Sequence, residues 1–171
     1  MSRSILFLDL ATVTGWAEGE PGGRATAGRV RLGAGGDPGA ICMAFNAFLA
    51  PRLAAFRPAR VIYEMPFLAG IKNANTVMIT WGLAFVTVGL CKHYGVRAQD
   101  ANLNTIRKHV LGTVPRGKGV DVKGIVMNHV RGLGYEPEDD NVADAICGWL
   151  YACAVLDPGS AARTSPLFAQ T

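Results

Sequence analysis

Two rhythms of apolar and polar positions run along this chain. Ser4–Leu10 (SILFLDL) is a nearly continuous apolar run broken only by Asp9, the pattern of a strand covered on both faces. Thr12–Glu18 and Thr26–Leu32 alternate around the turn-rich Gly19–Gly23, so the three segments predict an antiparallel meander. GAGGDPG (Gly33–Gly39) is a loop. From Ala40 to Phe56 the apolar residues recur at helical spacing, and Pro58 closes the segment. Arg60–Glu64 (RVIYE) predicts a second buried strand, one that ends on a carboxylate. Asn73–Tyr94 predicts a long, largely buried helix stopped by Gly95, followed by a strand over Val96–Gln99. Helices are expected at Asn104–Leu111, Val120–Leu133 and from about Asp139 to Leu156, with Pro115–Gly119 as a loop. This order predicts an α/β fold in which a mixed sheet, a three-strand antiparallel meander plus parallel strands, is flanked by helices. No repeat and no second domain is visible. A single domain is expected over residues 1–157, with a disordered tail over 158–171.

Composition narrows the picture only a little. Hydrophobic residues make up 50% and charged residues 18% of the 171, and mean hydropathy is +0.22, which excludes a disordered chain. Lys and Arg number 17 against 13 Asp and Glu, a net charge of +4. That is a weak pointer to a polyanionic partner. No run reaches about 18 uninterrupted apolar residues, and the first apolar run is too short for a signal peptide. The expectation is a cytoplasmic protein with no membrane partner. Cys42, Cys91, Cys147 and Cys153 form no C-x-x-C pair, so buried free thiols are expected rather than disulfides or zinc.

The informative residues are acidic. Asp9 interrupts an apolar strand, where an uncompensated carboxylate costs several kcal/mol. Glu64 repeats the pattern at the end of VIYE. In EPEDDNVADA, Asp140 and Asp144 stand four apart, on one face of a helix, where like charges repel unless a cation is shared. Each acid alone has a plainer reading: Asp139 or Asp140 as a helix cap, Asp144 and Glu64 in solvent. Together, two strand carboxylates and a helix pair form a set suited to holding divalent cations beside a phosphodiester.

At these residues a resemblance appears. Ile5, Asp9, Gly15 and Trp16 in IxxxDxxxxxGW, Glu64 in VIYEMPF and the DDNVADA segment resemble the RuvC family of Holliday-junction resolvases, within the ribonuclease H-like superfamily. KNANT, a long helix and a GVR strand follow in the same order, so the resemblance covers about Ile5 to Val155. It implies a ribonuclease H-like domain whose Asp9, Glu64, Asp140 and Asp144 ligate two Mg²⁺ or Mn²⁺ ions. It also implies a homodimer that hydrolyses phosphodiesters in branched DNA such as four-way junctions. The chain departs from the family in two places. Leu10-Ala11 stands where bacterial members carry Pro-Gly, and Asn141 stands three residues before Asp144, where they carry a ligand. Asp140, four before it, is the candidate in its place. The departures point to a divergent or phage-type member. The rival readings are a ribonuclease H-like nuclease acting on RNA or other branched DNA, and a catalytically silent DNA-binding module.

A basic segment completes the picture. Lys92, Arg97, Arg107, Lys108, Arg116, Lys118, Lys123 and Arg131 are set against only Asp100 and Asp121. The ordinary explanation is a solvated face. Beside an acidic metal site, phosphate binding is the better reading, with Arg107, Lys108, Arg116, Lys118 and Lys123 as the contacts. Lys118 or Lys123 matches a family lysine near the scissile phosphate, and Lys123 fits the spacing better. Phe67 is a candidate to stack on an unpaired base. Trp16, Trp81 and Trp149 are expected in the core, and His93, His109 and His129 on solvated helix surfaces.

Overall fold

The computed structural model describes residues 3–33, 36–66, 73–115, 117 and 119–161. Strands β1 (Ile5–Asp9), β2 (Val13–Gly19) and β3 (Thr26–Arg31) form the meander. Helix α1 (Pro38–Phe56) leads to β4 (Arg60–Glu64), α2 (Ala74–His93) and β5 (Arg97–Ala101). Helices α3 (Leu103–Leu111), α4 (Val122–Gly132), α5 (Asp140–Leu156) and the short α6 (Pro158–Ala161) follow. The five strands lie in the order β3-β2-β1-β4-β5. Within the meander they are antiparallel, and β1, β4 and β5 are parallel. This is the expected mixed sheet.

The central strand explains its own sequence. Leu6 and Leu8 pack with Val61 against α1 and α2, whereas Ile5 and Phe7 pack with Ile62 against α3, α4 and α5. Both faces of β1 are therefore covered, and the run is apolar throughout. One element departs from expectation. Helix α2 buries only one stripe, Ile79, Leu83, Ala84, Thr87 and Cys91, while Met78, Phe85 and Val88 stay exposed. By length and composition α1 and α2 could each cross a membrane; here one side of each lies on the sheet and on the other helix. At their crossing, Cys42 fills the space beside Gly82, where a Cβ would approach Sγ to 2.6 Å.

Of the three tryptophans, Trp149 is fully buried, but Trp16 and Trp81 are half-buried. Trp16 carries the Arg52 guanidinium 3.7 Å above its ring, and that guanidinium also makes two bonds to Glu18. A cation over one ring face lets the indole remain at the surface. All four cysteines are free and only Cys42 is partly exposed. The first residues of the expected disordered tail, 158–161, form the helical turn α6; the remainder lies outside the described residues.

Candidate active site

Alternation along two strands begins the site. Asp9 follows Ile5 and Phe7 on one face of β1, and Glu64 follows Ile62 on the same face of β4. The parallel register pairs Leu8 with Tyr63, so one step further sets Asp9 beside Glu64. Their carboxyls hydrogen-bond to one another, which requires a shared proton.

The third acid arrives on α5, and two glycines let that helix come close. Gly15 is the cross-strand partner of Asp9. A Cβ there would stand 2.1 Å from the Asn141 carbonyl oxygen, so only glycine admits the first turn of α5 over β2. One turn beyond Asp144, Gly148 lies over the Phe7 ring, which a Cβ would meet at 2.1 Å. Asp139 caps the helix: its Oδ1 accepts from the Val142 N–H at 3.1 Å. Its Oδ2 accepts from Arg29 at 2.6 Å and from the Asn141 carboxamide at 3.2 Å. Of the two capping candidates, Asp139 is thus the cap. Arg29 carries no signal in the sequence, because an exposed arginine in an alternating edge strand is unremarkable.

The electrostatics follow from the enclosure. Burial, then the charges of Glu64 and Asp144, push the Asp9 carboxyl well above the ordinary aspartate range. Burial and the Asp144 charge push Glu64 up to about 7, against the opposing pull of Arg107. Burial also raises Asp144, with Arg107 as its main counterweight. Asp144 Oδ1 lies 3.6 Å from the Arg107 guanidinium, whose Nε is buried without a hydrogen-bond partner among the described residues. Asp140 behaves differently. It pairs with Lys123 at the protein surface, and that bond lowers its pKa.

Asp9, Glu64 and Asp144 therefore act on one another, with Arg107 among them, while Asp140 and Lys123 sit at the rim as a pair. Asn141 is committed to Asp139. Lys108 is exposed in the last turn of α3. Phe67, Arg116 and Lys118 lie outside the described residues. As the side chains stand, no three acids, histidines or cysteines among the described residues close around a metal position. Asp144 and Asp140 each face a cation of the protein instead. The chemistry of the donor set nevertheless fits a divalent ion: three enclosed oxygen donors resist ionisation for want of positive charge, and hard carboxylates suit Mg²⁺ or Mn²⁺.

Comparison with solved structures bears on the architecture. A Thermus thermophilus RuvC structure superposes with a TM-score of 0.69 at 20% identity, covering 92% of this chain and 97% of that one. The chain has a RuvC-like fold. T. thermophilus RuvC in complex with a Holliday junction substrate gives a TM-score of 0.70 at 16% identity, over 92% of this chain and 96% of that one. The yeast mitochondrial Holliday junction resolvase Ydc2 gives 0.58 at 13%, over 95% and 83%. No protein-family profile and no curated protein sequence matches. The RuvC-like fold thus persists here at an identity where sequence comparison finds nothing.

Proposed function

We propose that this chain is a divalent-metal-dependent endonuclease that hydrolyses phosphodiester bonds in branched DNA, with four-way junctions as the leading substrate. One observation carries the reading. Within a RuvC-like fold, Asp9 and Glu64 stand side by side on adjacent parallel strands, and Gly15 lets Asp144 descend onto them. The resemblance in the DNVADA and VIYE segments, and the similarity to a RuvC captured on a Holliday junction, support the substrate class.

Asp9, Glu64 and Asp144, with Asp140 as fourth donor, would hold two Mg²⁺ or Mn²⁺ ions. Such a pair supplies an activated water and charge stabilisation at the leaving oxygen. The protein's own groups do the rest. The strands fix the Asp9 and Glu64 carboxylates, and enclosure limits competing water. Arg107 holds Asp144 in place and offers an unused buried N–H to a phosphate oxygen. Lys123, at the rim, is placed to meet negative charge on the phosphate. Arg107, Lys108, Arg116, Lys118 and Lys123 then mark the DNA path, with Phe67 as the stacking residue.

Homodimerisation belongs to the same proposal, since a two-fold junction suits a two-fold enzyme. The exposed side of α2, where Phe85 is 68% and Met78 59% exposed, is the apolar surface it would cover. The deciding experiment incubates the protein with synthetic four-way, three-way, linear and RNA–DNA hybrid substrates. The expected result is cutting of the four-way junction in Mg²⁺ or Mn²⁺, and none in Ca²⁺ or EDTA. Cutting in excess EDTA would remove the metal mechanism. Preferential cutting of the hybrid would replace the substrate.

A further inference from the structure

A cavity of about 260 Å³ opens beside Glu64, lined by Glu64, Met65, Pro66, Asn102, Leu103 and Asn104. We propose that it receives one unpaired nucleobase of the strand being cut, and that Asn104 reads that base. This rests on the nuclease reading above and adds a sequence-reading subsite to it.

The lining argues for the ligand class. Among the described residues no lysine or arginine lines the cavity, and Glu64 would repel an anion, so a free phosphate is a poor occupant. Its walls are apolar: Pro66 is buried, Leu103 is half-buried, and Met65 is 45% exposed although it directly follows a site carboxylate. Besides the Glu64 carboxyl, its polar side chains are the two carboxamides of Asn102 and Asn104. Apolar walls with a few hydrogen-bonding edges suit a flat, neutral heterocycle.

The cavity is also preformed. The Met65 N–H donates to the Ala101 carbonyl at 2.9 Å, which ties the exit of β4 to that of β5. The Asn102 Oδ1 accepts from the N–H groups of Asn104 at 2.9 Å and Thr105 at 3.4 Å. That fixes the first turn of α3 and leaves the Asn102 NH₂ as a donor. Asn104 is exposed at the rim, and a carboxamide can bond two edge atoms of a base at once. Arg107 stands three residues further along α3, hence on the same side of the helix, and there it meets Asp144. The subsite and the carboxylates thus share one helix face. Neighbouring nucleotides of a strand are spaced by about 3.4 Å along the axis, so a base adjoining the cut can reach the cavity. In a continuous duplex that base is stacked and paired; at a branch point it is free to leave.

Two measurements on the full chain test this. Junctions permuted at the nucleotides on either side of the exchange point are cut in Mg²⁺, and junctions carrying 2-aminopurine at each of those nucleotides are bound in EDTA. The parental chain is expected to favour one base at one position by about tenfold or more, and to change the 2-aminopurine signal at that position. Asn104→Ala should flatten the preference to within about threefold, and Asn104→Trp, which fills the cavity, should abolish the fluorescence change. Melting temperature should match the parental chain's, so that the lost preference reads as lost base recognition and not as misfolding. Junctions cut by the parental chain without base preference, or variants that keep its preference and signal, would overturn the subsite and leave the nuclease reading standing. A parental chain that neither binds nor cuts branched DNA would overturn both.

Discussion

Glu64 shows what the site asks of single residues. Its pKa stands near 7 against an ordinary 4.5, chiefly through burial and then the Asp144 charge, so the folded metal-free chain binds more protons than the unfolded chain between those values. Stability should therefore fall as pH rises from about 4.5 to 7 and level off above. Asp9 and Asp144 are shifted in the same direction. Glu64→Gln removes the ionisation, so the metal-free variant should be more stable than the parent above pH 7. The gain is bounded at about 3 kcal/mol, one pKa unit being about 1.36 kcal/mol. Urea melts of both proteins in EDTA across pH 4 to 8 would check this, and parallel pH profiles would contradict it. The same substitution, like Asp9→Asn and Asp144→Asn, is expected to abolish cutting while junction binding persists. A gel shift beside a cleavage assay separates the two effects.

Helix α5 is the element on which the arrangement turns. Gly15→Ala would drive a methyl group into the Asn141 carbonyl, an overpacking that costs about 1–3 kcal/mol, and lifting α5 takes Asp144 with it. A loss of about 2 kcal/mol in denaturant unfolding, with a fall in cutting, is expected. Gly89→Ala on α2, where nothing lies within 4 Å, should instead gain up to about 1 kcal/mol through helix propensity. Asp139→Ala removes the cap and should cost about 1 kcal/mol. Arg29→Ala should weaken the same turn, since Arg29 holds that carboxylate from β3.

The whole molecule presents an apolar side at α2 and basic groups near the acids. Size-exclusion chromatography with light scattering at micromolar concentration should return a dimer mass, and Phe85→Glu should shift it towards monomer. A monomer mass with and without junction DNA would oppose the dimer. Lys123→Ala should lower the slope of log K against log salt by about 1, as expected when one phosphate contact is lost. An unchanged slope would make Lys123 only the partner of Asp140.

Much of this was legible in the chain because strand chemistry has a period of two. Ile5, Phe7 and Asp9 share one face of their strand by counting, as do Ile62 and Glu64 of theirs; that the two faces lie on one side of the sheet came only with the parallel register of β1 and β4. The buried run of β1, the meander turns and the limits of α3, α4 and α5 follow from equally local rules of burial, turn chemistry and capping. Contacts between distant segments obey no such rule. Which base meets which acid, Arg107 with Asp144 and Lys123 with Asp140, depended on how α3 and α4 pack beside α5. Tertiary packing also left α2 covered on one side only and kept Trp16 at the surface beneath Arg52. The need for Gly15 has the same origin: the residue that forbids a side chain there, Asn141, lies far along the sequence, and only the closed fold sets its carbonyl against that strand.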